Sequence, residues 1–178
     1  VVSFTTTIES TWGTGITVPG YGFLLNNELT DFNFTPAANP ATGNPGANDV
    51  APGKRPRSSM APAIVFRGRE PVAAYGSPGG ATIINSVLNV TLNLIDHKMT
   101  LPDAIRAPRV SVTNTGSAIS LEPGFPQITR DGLLSLGYAL PATADIGSVQ
   151  AVLLDPKTGL QYGAADARRE GSVIGLPR

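Results

Sequence analysis

Gly76-Ser77-Pro78-Gly79-Gly80 is the stretch of this sequence best placed to do chemistry. It lies between a short apolar segment and a long segment with helical periodicity. Two adjacent glycines at a helix start leave backbone N–H groups bare, and the helix dipole adds to their pull on an anion. The same geometry can hold the oxyanion of an acyl-transfer intermediate. Close helix–sheet packing also selects glycine, so the pair alone leaves both readings open. Ser77 does not fit a serine-hydrolase nucleophile. A nucleophile elbow has glycine two residues before and two after the serine, and Tyr75 occupies the first position. His97, its only histidine partner, would sit at the far end of the helix.

Two other clusters carry charge. Lys54-Arg55-Pro56-Arg57-Ser58-Ser59 sets three cations before two hydroxyls, a combination that can hold a carboxylate or form a solvated basic turn. Asn26-Asn27-Glu28-Leu29-Thr30-Asp31-Phe32 follows an apolar triplet. If the backbone turns there, Glu28 and Asp31 point to one place and can bind an ammonium group. Capping acids at a helix start would look the same. Asn33-Phe34-Thr35 and Asn89-Val90-Thr91 match the glycosylation sequon, and the second falls inside the expected helix.

Composition excludes several classes. The 178 residues suit one domain with a real core. Thirteen Lys and Arg balance thirteen Asp and Glu, so no nucleic-acid partner is expected. The chain has no cysteine, which removes thiolate catalysis and zinc–thiolate sites, and one histidine, which removes multi-histidine metal sites. No metal or cofactor is expected. No apolar run reaches the length of a membrane span. The chain opens at Val1 in strand-like residues without a signal-peptide pattern, as if cut from something larger.

The elements that must position these groups follow from local pattern. Residues 1–8, 23–25, 63–66, 72–75, 109–113, 118–122, 148–154 and 160–164 read as strands. Apolar residues at 83, 84, 87, 88, 92 and 95, with asparagines opposite, read as a helix running from Gly80 to about Lys98. Thr100-Leu101-Pro102-Asp103 reads as the cap of a short helix stopped by Pro108, and residues 128–136 as a helix closed by Gly137. Residues 35–53 hold four prolines, three glycines and three asparagines without periodicity. A loop of that length is usually functional or disordered. The order implies an α+β fold with a mainly antiparallel sheet.

Several ordered motifs together resemble the small catalytic subunit of the γ-glutamyltransferase (γ-glutamyl transpeptidase) family of N-terminal-nucleophile hydrolases. They are Thr5-Thr6-Thr7-Ile8-Glu9, Gly13-Thr14-Gly15, Leu24-Leu25-Asn26-Asn27-Glu28-Leu29-Thr30-Asp31-Phe32, Lys54-Arg55-Pro56-Arg57-Ser58-Ser59-Met60, the glycine turn, and Gly163-Ala164-Ala165-Asp166. The resemblance implies an αββα sandwich completed by a first strand and a large subunit from the same precursor. It implies a γ-glutamyl-enzyme mechanism on glutathione or another γ-glutamyl compound, in which a threonine hydroxyl attacks and its own α-amine is the base. It assigns Gly79 and Gly80 as oxyanion donors, and Ser58 and Ser59 as holders of the substrate α-carboxylate. Glu9, Glu28 and Asp31 match holders of the α-ammonium, and Thr7 a threonine that hydrogen-bonds near the nucleophile. Residues 35–53 fall where some members carry a lid, but lack the aromatic residue found at the lid tip.

The departure from the family is at the start. The nucleophilic threonine and its strand are absent, Val1 has no hydroxyl, and Thr5, Thr6 and Thr7 have no free α-amine. The expectation is a fragment that is inactive alone, with an exposed sheet edge that invites self-association. The resemblance also implies an extracytoplasmic location, periplasmic or secreted. Alternatives are a related acylase of the cephalosporin or poly-γ-glutamate type, and a non-catalytic module with the same fold.

Overall fold

The computed structural model describes residues 1–39, 41–43, 45–112 and 118–175. The chain divides into two compact units, Thr6–Ser58 and a larger one made of Val1–Thr5 with Ser59–Arg178.

In the larger unit, β1 (Ala63–Arg67) and β2 (Glu70–Gly76) form a hairpin, and β5 (Gln150–Leu154) and β6 (Gln161–Ala165) form another. The order is β1-β2-β5-β6, antiparallel throughout. Registers such as Ala63 with Tyr75 and Tyr75 with Ala151 put alternate residues on one face. Ala73, Tyr75 and Val149 from that layer pack against Val90, Leu101 and Ile105 from α1 (Ile83–Ile95) and α2 (Leu101–Arg106). The Tyr75 hydroxyl meets Thr91 Oγ1 at 2.6 Å, pinning sheet to helix inside an apolar layer. A short ladder of β3 (Val110–Ser111) and β4 (Ser120–Leu121) follows, then α3 (Gln127–Ser135).

The local signals account for the helix ends. Thr100 Oγ1 accepts from the Asp103 N–H, the expected N-cap, and donates to Asp103 Oδ2 at 2.6 Å. Gly137, at φ 86°, closes α3. The asparagines of α1 do not face water as a plain amphipathic reading implies. Asn89 Nδ2 donates to the Val110 carbonyl at 2.9 Å, Asn85 Nδ2 to the Val112 carbonyl at 3.2 Å, and Asn93 Nδ2 to the Ala104 carbonyl at 3.1 Å. Ile84, Leu88, Leu92 and Ile95 form an exposed apolar row instead. Asn89 of the second sequon is thus helical and already bonded.

Two strand expectations are corrected. Residues 1–8 form no strand; Ser3 Oγ donates to the Tyr75 carbonyl at 2.9 Å and the Ile8 carbonyl accepts from the Asn27 N–H at 3.1 Å. Residues 23–25 contribute only an isolated bridge, Thr17 to Leu24. Near that bridge Gly13 sits at φ 52°, where a Cβ would meet the Leu25 carbonyl oxygen at 2.0 Å, so only glycine lets these two segments touch. The smaller unit has one short 3-10 helix among its described residues, Glu28–Asp31.

Candidate active site

The smaller unit gathers the acidic residues. The Asn27 N–H donates to the Ile8 carbonyl at 3.1 Å, which brings the residue after Ile8 beside the start of the 3-10 helix. Glu9 sits there at φ 71°, a left-handed conformation uncommon for a side-chain-bearing residue. The Glu9 N–H donates to Thr7 Oγ1 at 2.8 Å, so Thr7 shapes this turn. Glu9 Oε2 accepts from Ser10 Oγ at 2.5 Å and from Asn27 Nδ2 at 2.6 Å. Those donors hold the Glu9 carboxyl below its ordinary range.

Glu28 behaves oppositely. Burial first, then the charges of Asp31 and Glu9, push its carboxyl above the ordinary range. Its Oε1 is buried without a hydrogen-bond partner among the described residues. An orphaned carboxylate oxygen facing two further acids is costly unless a cation arrives. The expected turn at Glu28 and Asp31 is therefore present, and Glu9, Glu28 and Asp31 lie near enough for the charges of Asp31 and Glu9 to act on the Glu28 carboxyl. No described group of three or more His, Cys, Asp or Glu is placed to hold a metal.

The long loop after this pocket has no helix or strand in its described residues but is held from within. Asp49 is buried, and its carboxylate accepts from Asn33 Nδ2 at 2.8 Å, the Ala37 N–H at 2.9 Å and the Gly46 N–H at 2.8 Å. These donors, chiefly the Ala37 amide, keep its pKa lowered. The loop ends in the basic segment, where Lys54 Nζ donates to the Asp49 carbonyl at 3.0 Å and Ser58 closes the unit.

The larger unit holds the glycine turn. Gly79 has φ 142° and Gly80 φ 54°, conformations that favour glycine at both positions. The Gly79 carbonyl accepts from the Thr82 N–H and Thr82 Oγ1, which fastens the turn to the start of α1. Ser59 Oγ donates to the Gly80 carbonyl at 2.7 Å, so Ser59 is part of the same construction. Among the described residues the Gly79 and Gly80 N–H groups donate no hydrogen bond, as anion donors require. Ser77 is 3% exposed; its hydroxyl donates to the Pro78 carbonyl and accepts from the Ser148 N–H at 2.9 Å. It is a buttress, consistent with its failure as an elbow.

Sequence reasoning missed what stands behind the turn. Gly147, at φ 67°, lies against Ser77 and Ser86; a Cβ there would be 2.6 Å and 2.4 Å from their hydroxyl oxygens. Residues 146–149 are tied to a buried ionic network. Arg109 Nη1 donates to the Ile146 carbonyl at 2.8 Å, Glu122 Oε1 accepts from the Ile146 N–H at 2.6 Å, and Asp166 Oδ2 accepts from the Val149 N–H at 2.9 Å. Arg168 closes the network on Glu122 at 2.5 Å and Asp166 at 3.1 Å. Burial alone would raise the Glu122 and Asp166 carboxyls, but their many donors outweigh it and hold both below the ordinary range. Four charged residues scattered over some sixty positions leave no local pattern; only Asp166 fell within a recognised motif.

The mixed α/β fold, with a glycine turn at the start of α1 beside a sheet of antiparallel strands, matches solved gamma-glutamyltranspeptidases, which belong to the class of N-terminal-nucleophile hydrolases. The chain matches a highly active mutant of γ-glutamyltranspeptidase from Pseudomonas nitroreducens with a TM-score of 0.86 at 33% identity, covering 99% of this chain and 93% of that one. The glutathione hydrolase proenzyme of Bacillus subtilis strain 168 is 46% identical over 177 residues, 99% of this chain and 29% of that protein. An acylase, the ACY 1 proenzyme of Pseudomonas sp. strain SE83, is 34% identical over 178 residues, 99% of this chain and 30% of its own length. The family model for gamma-glutamyltranspeptidase matches residues 1–176. The chain belongs to the gamma-glutamyltranspeptidase family. It spans less than a third of the length of the curated relatives it matches.

Proposed function

We propose that this chain is the small-subunit portion of an enzyme that cleaves γ-glutamyl amides, glutathione among them, and passes the γ-glutamyl group to water or an amine. The observation that carries the reading is the partnerless Glu28 oxygen, on a carboxyl that also feels the charges of Asp31 and Glu9. A substrate α-ammonium satisfies it. Ser58 and Ser59 take the α-carboxylate, and the Gly79 and Gly80 amides take the oxyanion. The nucleophile is an N-terminal threonine elsewhere in a longer protein. Its Oγ bonds to the γ-carbonyl carbon and passes its proton to its own α-amine. The C–N bond then breaks as that proton moves to the leaving amine. Water or an acceptor amine next displaces the threonine from the ester.

The larger subunit of the same precursor is the partner in this reading, and an extracytoplasmic location goes with it. No described helix is long and apolar enough to cross a membrane. Self-association would use the open edge of β1 or β6.

The test is hydrolysis of γ-glutamyl-p-nitroanilide by the full-length protein, compared with glutaryl-p-nitroanilide, which keeps the carboxylate and lacks the α-ammonium. A large preference for the γ-glutamyl substrate is expected. Preference for the glutaryl substrate would favour the acylase reading, which the resemblance to the ACY 1 proenzyme supports. Turnover of neither would favour a non-catalytic module.

A further inference from the structure

We propose that Asn48 is a positioning residue that couples the two arms of the amino-acid clamp, the acidic arm at Asp31 and the hydroxyl arm at Ser58. The proposal rests on the γ-glutamyl reading above. Asn48 Nδ2 donates to the Asp31 main-chain carbonyl at 2.7 Å. Its Oδ1 accepts from the Arg57 N–H at 2.9 Å, one residue before Ser58. Its own carbonyl accepts from the Asn33 N–H at 3.0 Å. One planar amide therefore grips both arms through opposite ends of the same group.

The chemistry of that bridge needs an amide. Asn offers a donor and an acceptor at once in fixed geometry, whereas an ionised carboxylate only accepts and an aliphatic side chain does neither. Asn48 is itself held. The neighbouring Asp49 carboxylate collects Asn33 Nδ2 and the Ala37 and Gly46 amides, and Lys54 Nζ caps the Asp49 carbonyl. Asp49 thus folds the loop, and Asn48 transmits that fold to the clamp. The loop is accordingly a strut for the pocket, and no lid movement is needed to explain its composition.

The arms hold the non-reacting end of the substrate in both the ground state and the transition state. Loosening them should raise KM with little change in kcat. In the full-length protein, Asn48→Ala and the near-isosteric Asn48→Asp should each raise KM for γ-glutamyl-p-nitroanilide about tenfold or more, with kcat within about threefold. Preference over glutaryl-p-nitroanilide should shrink in parallel. In an Asp31→Asn background, the further effect of Asn48→Ala should fall to about twofold or less, because coupled residues are non-additive. An unchanged KM in folded Asn48 variants of an active enzyme overturns the proposal and leaves the γ-glutamyl reading standing. So does a fall confined to kcat, or full additivity with Asp31→Asn. Failure of both Asn48 variants to fold assigns the residue a structural role and also overturns it. A wild-type protein that cleaves neither anilide sinks both readings together.

Discussion

Arg109 Nη2 and Asp166 Oδ2 form an ion pair at 2.6 Å with both side chains almost wholly out of water. The same Asp166 oxygen accepts the Val149 N–H, while Arg109 also donates to the Ile146 carbonyl. The pair thus brackets residues 146–149, whose Ser148 amide reaches Ser77 in the glycine turn. Burial lowers the Arg109 pKa, opposed by its bonds to Asp166. Such a pair stabilises little as a whole but costs much when halved.

Asp166→Leu should accordingly destabilise the protein by about 3–5 kcal/mol, measured by urea unfolding. Adding Arg109→Met to it should recover part of that loss, because no uncompensated charge is then buried. Equal or greater loss in the double variant would contradict this account.

Acid should unfold the protein through Glu122 and Asp166. Both carboxyls are held below their ordinary range in the folded state. Their contribution is therefore complete above the unfolded pKa, roughly 4, and is lost as pH falls through the lower folded values. Melting temperature should drop across that acidic window, and Glu122→Gln should flatten the drop.

Glu28 carries the opposite sign. Its pKa is raised, so its contribution is complete below the unfolded value and is lost as pH rises through the folded one. At neutral pH, Glu28→Gln should melt higher than the wild type while raising KM for the γ-glutamyl substrate. A lower melting temperature with unchanged KM would count against a pocket built for a cation.

The two glycines of the turn should differ. At Gly79 a Cβ would lie 2.7 Å from Thr82 Oγ1 and 3.2 Å from the Gly147 Cα, whereas at Gly80 it would meet open space. Gly79→Ala should move the donor and lower kcat about 10²–10³-fold. Gly80→Ala keeps its N–H and should cost only about 1 kcal/mol of stability. Equal kinetic losses would be evidence against this geometry.

Ser77→Ala should destabilise by about 1–3 kcal/mol, since it strands the buried Ser148 N–H. Activity should persist, and serine-directed acylating reagents should leave no adduct on Ser77. Complete loss of turnover in a folded variant would restore Ser77 as a nucleophile candidate.

Local signals were readable wherever a few neighbouring residues decide the outcome. The Thr100 to Asp103 cap, the Gly137 stop, the strands β5 and β6 and the turn at Glu28 all stand where local pattern places them. The glycine turn was legible as a tight turn at a helix start for the same reason. Residues 1–8 show the limit. Their β-branched side chains suit a pleated surface, but a strand needs a partner ladder, which propensity does not supply. In the loop at 35–53 the Asp49 carboxylate collects amides from three described residues, a pattern without periodicity that sequence does not display. The support behind the turn was invisible because Arg109, Glu122, Asp166 and Arg168 meet only after folding.

The asparagines of α1 have a mechanical consequence. Asn85, Asn89 and Asn93 recur every four residues and each reaches a carbonyl outside the helix, two on the segment from Val110 to Val112 and one in α2. Sliding α1 by one residue, or rolling it by one position, would break all three contacts together. Because Gly79 and Gly80 lie at the head of this helix, the amide row works like the teeth of a ratchet, fixing how far along its axis the turn can stand.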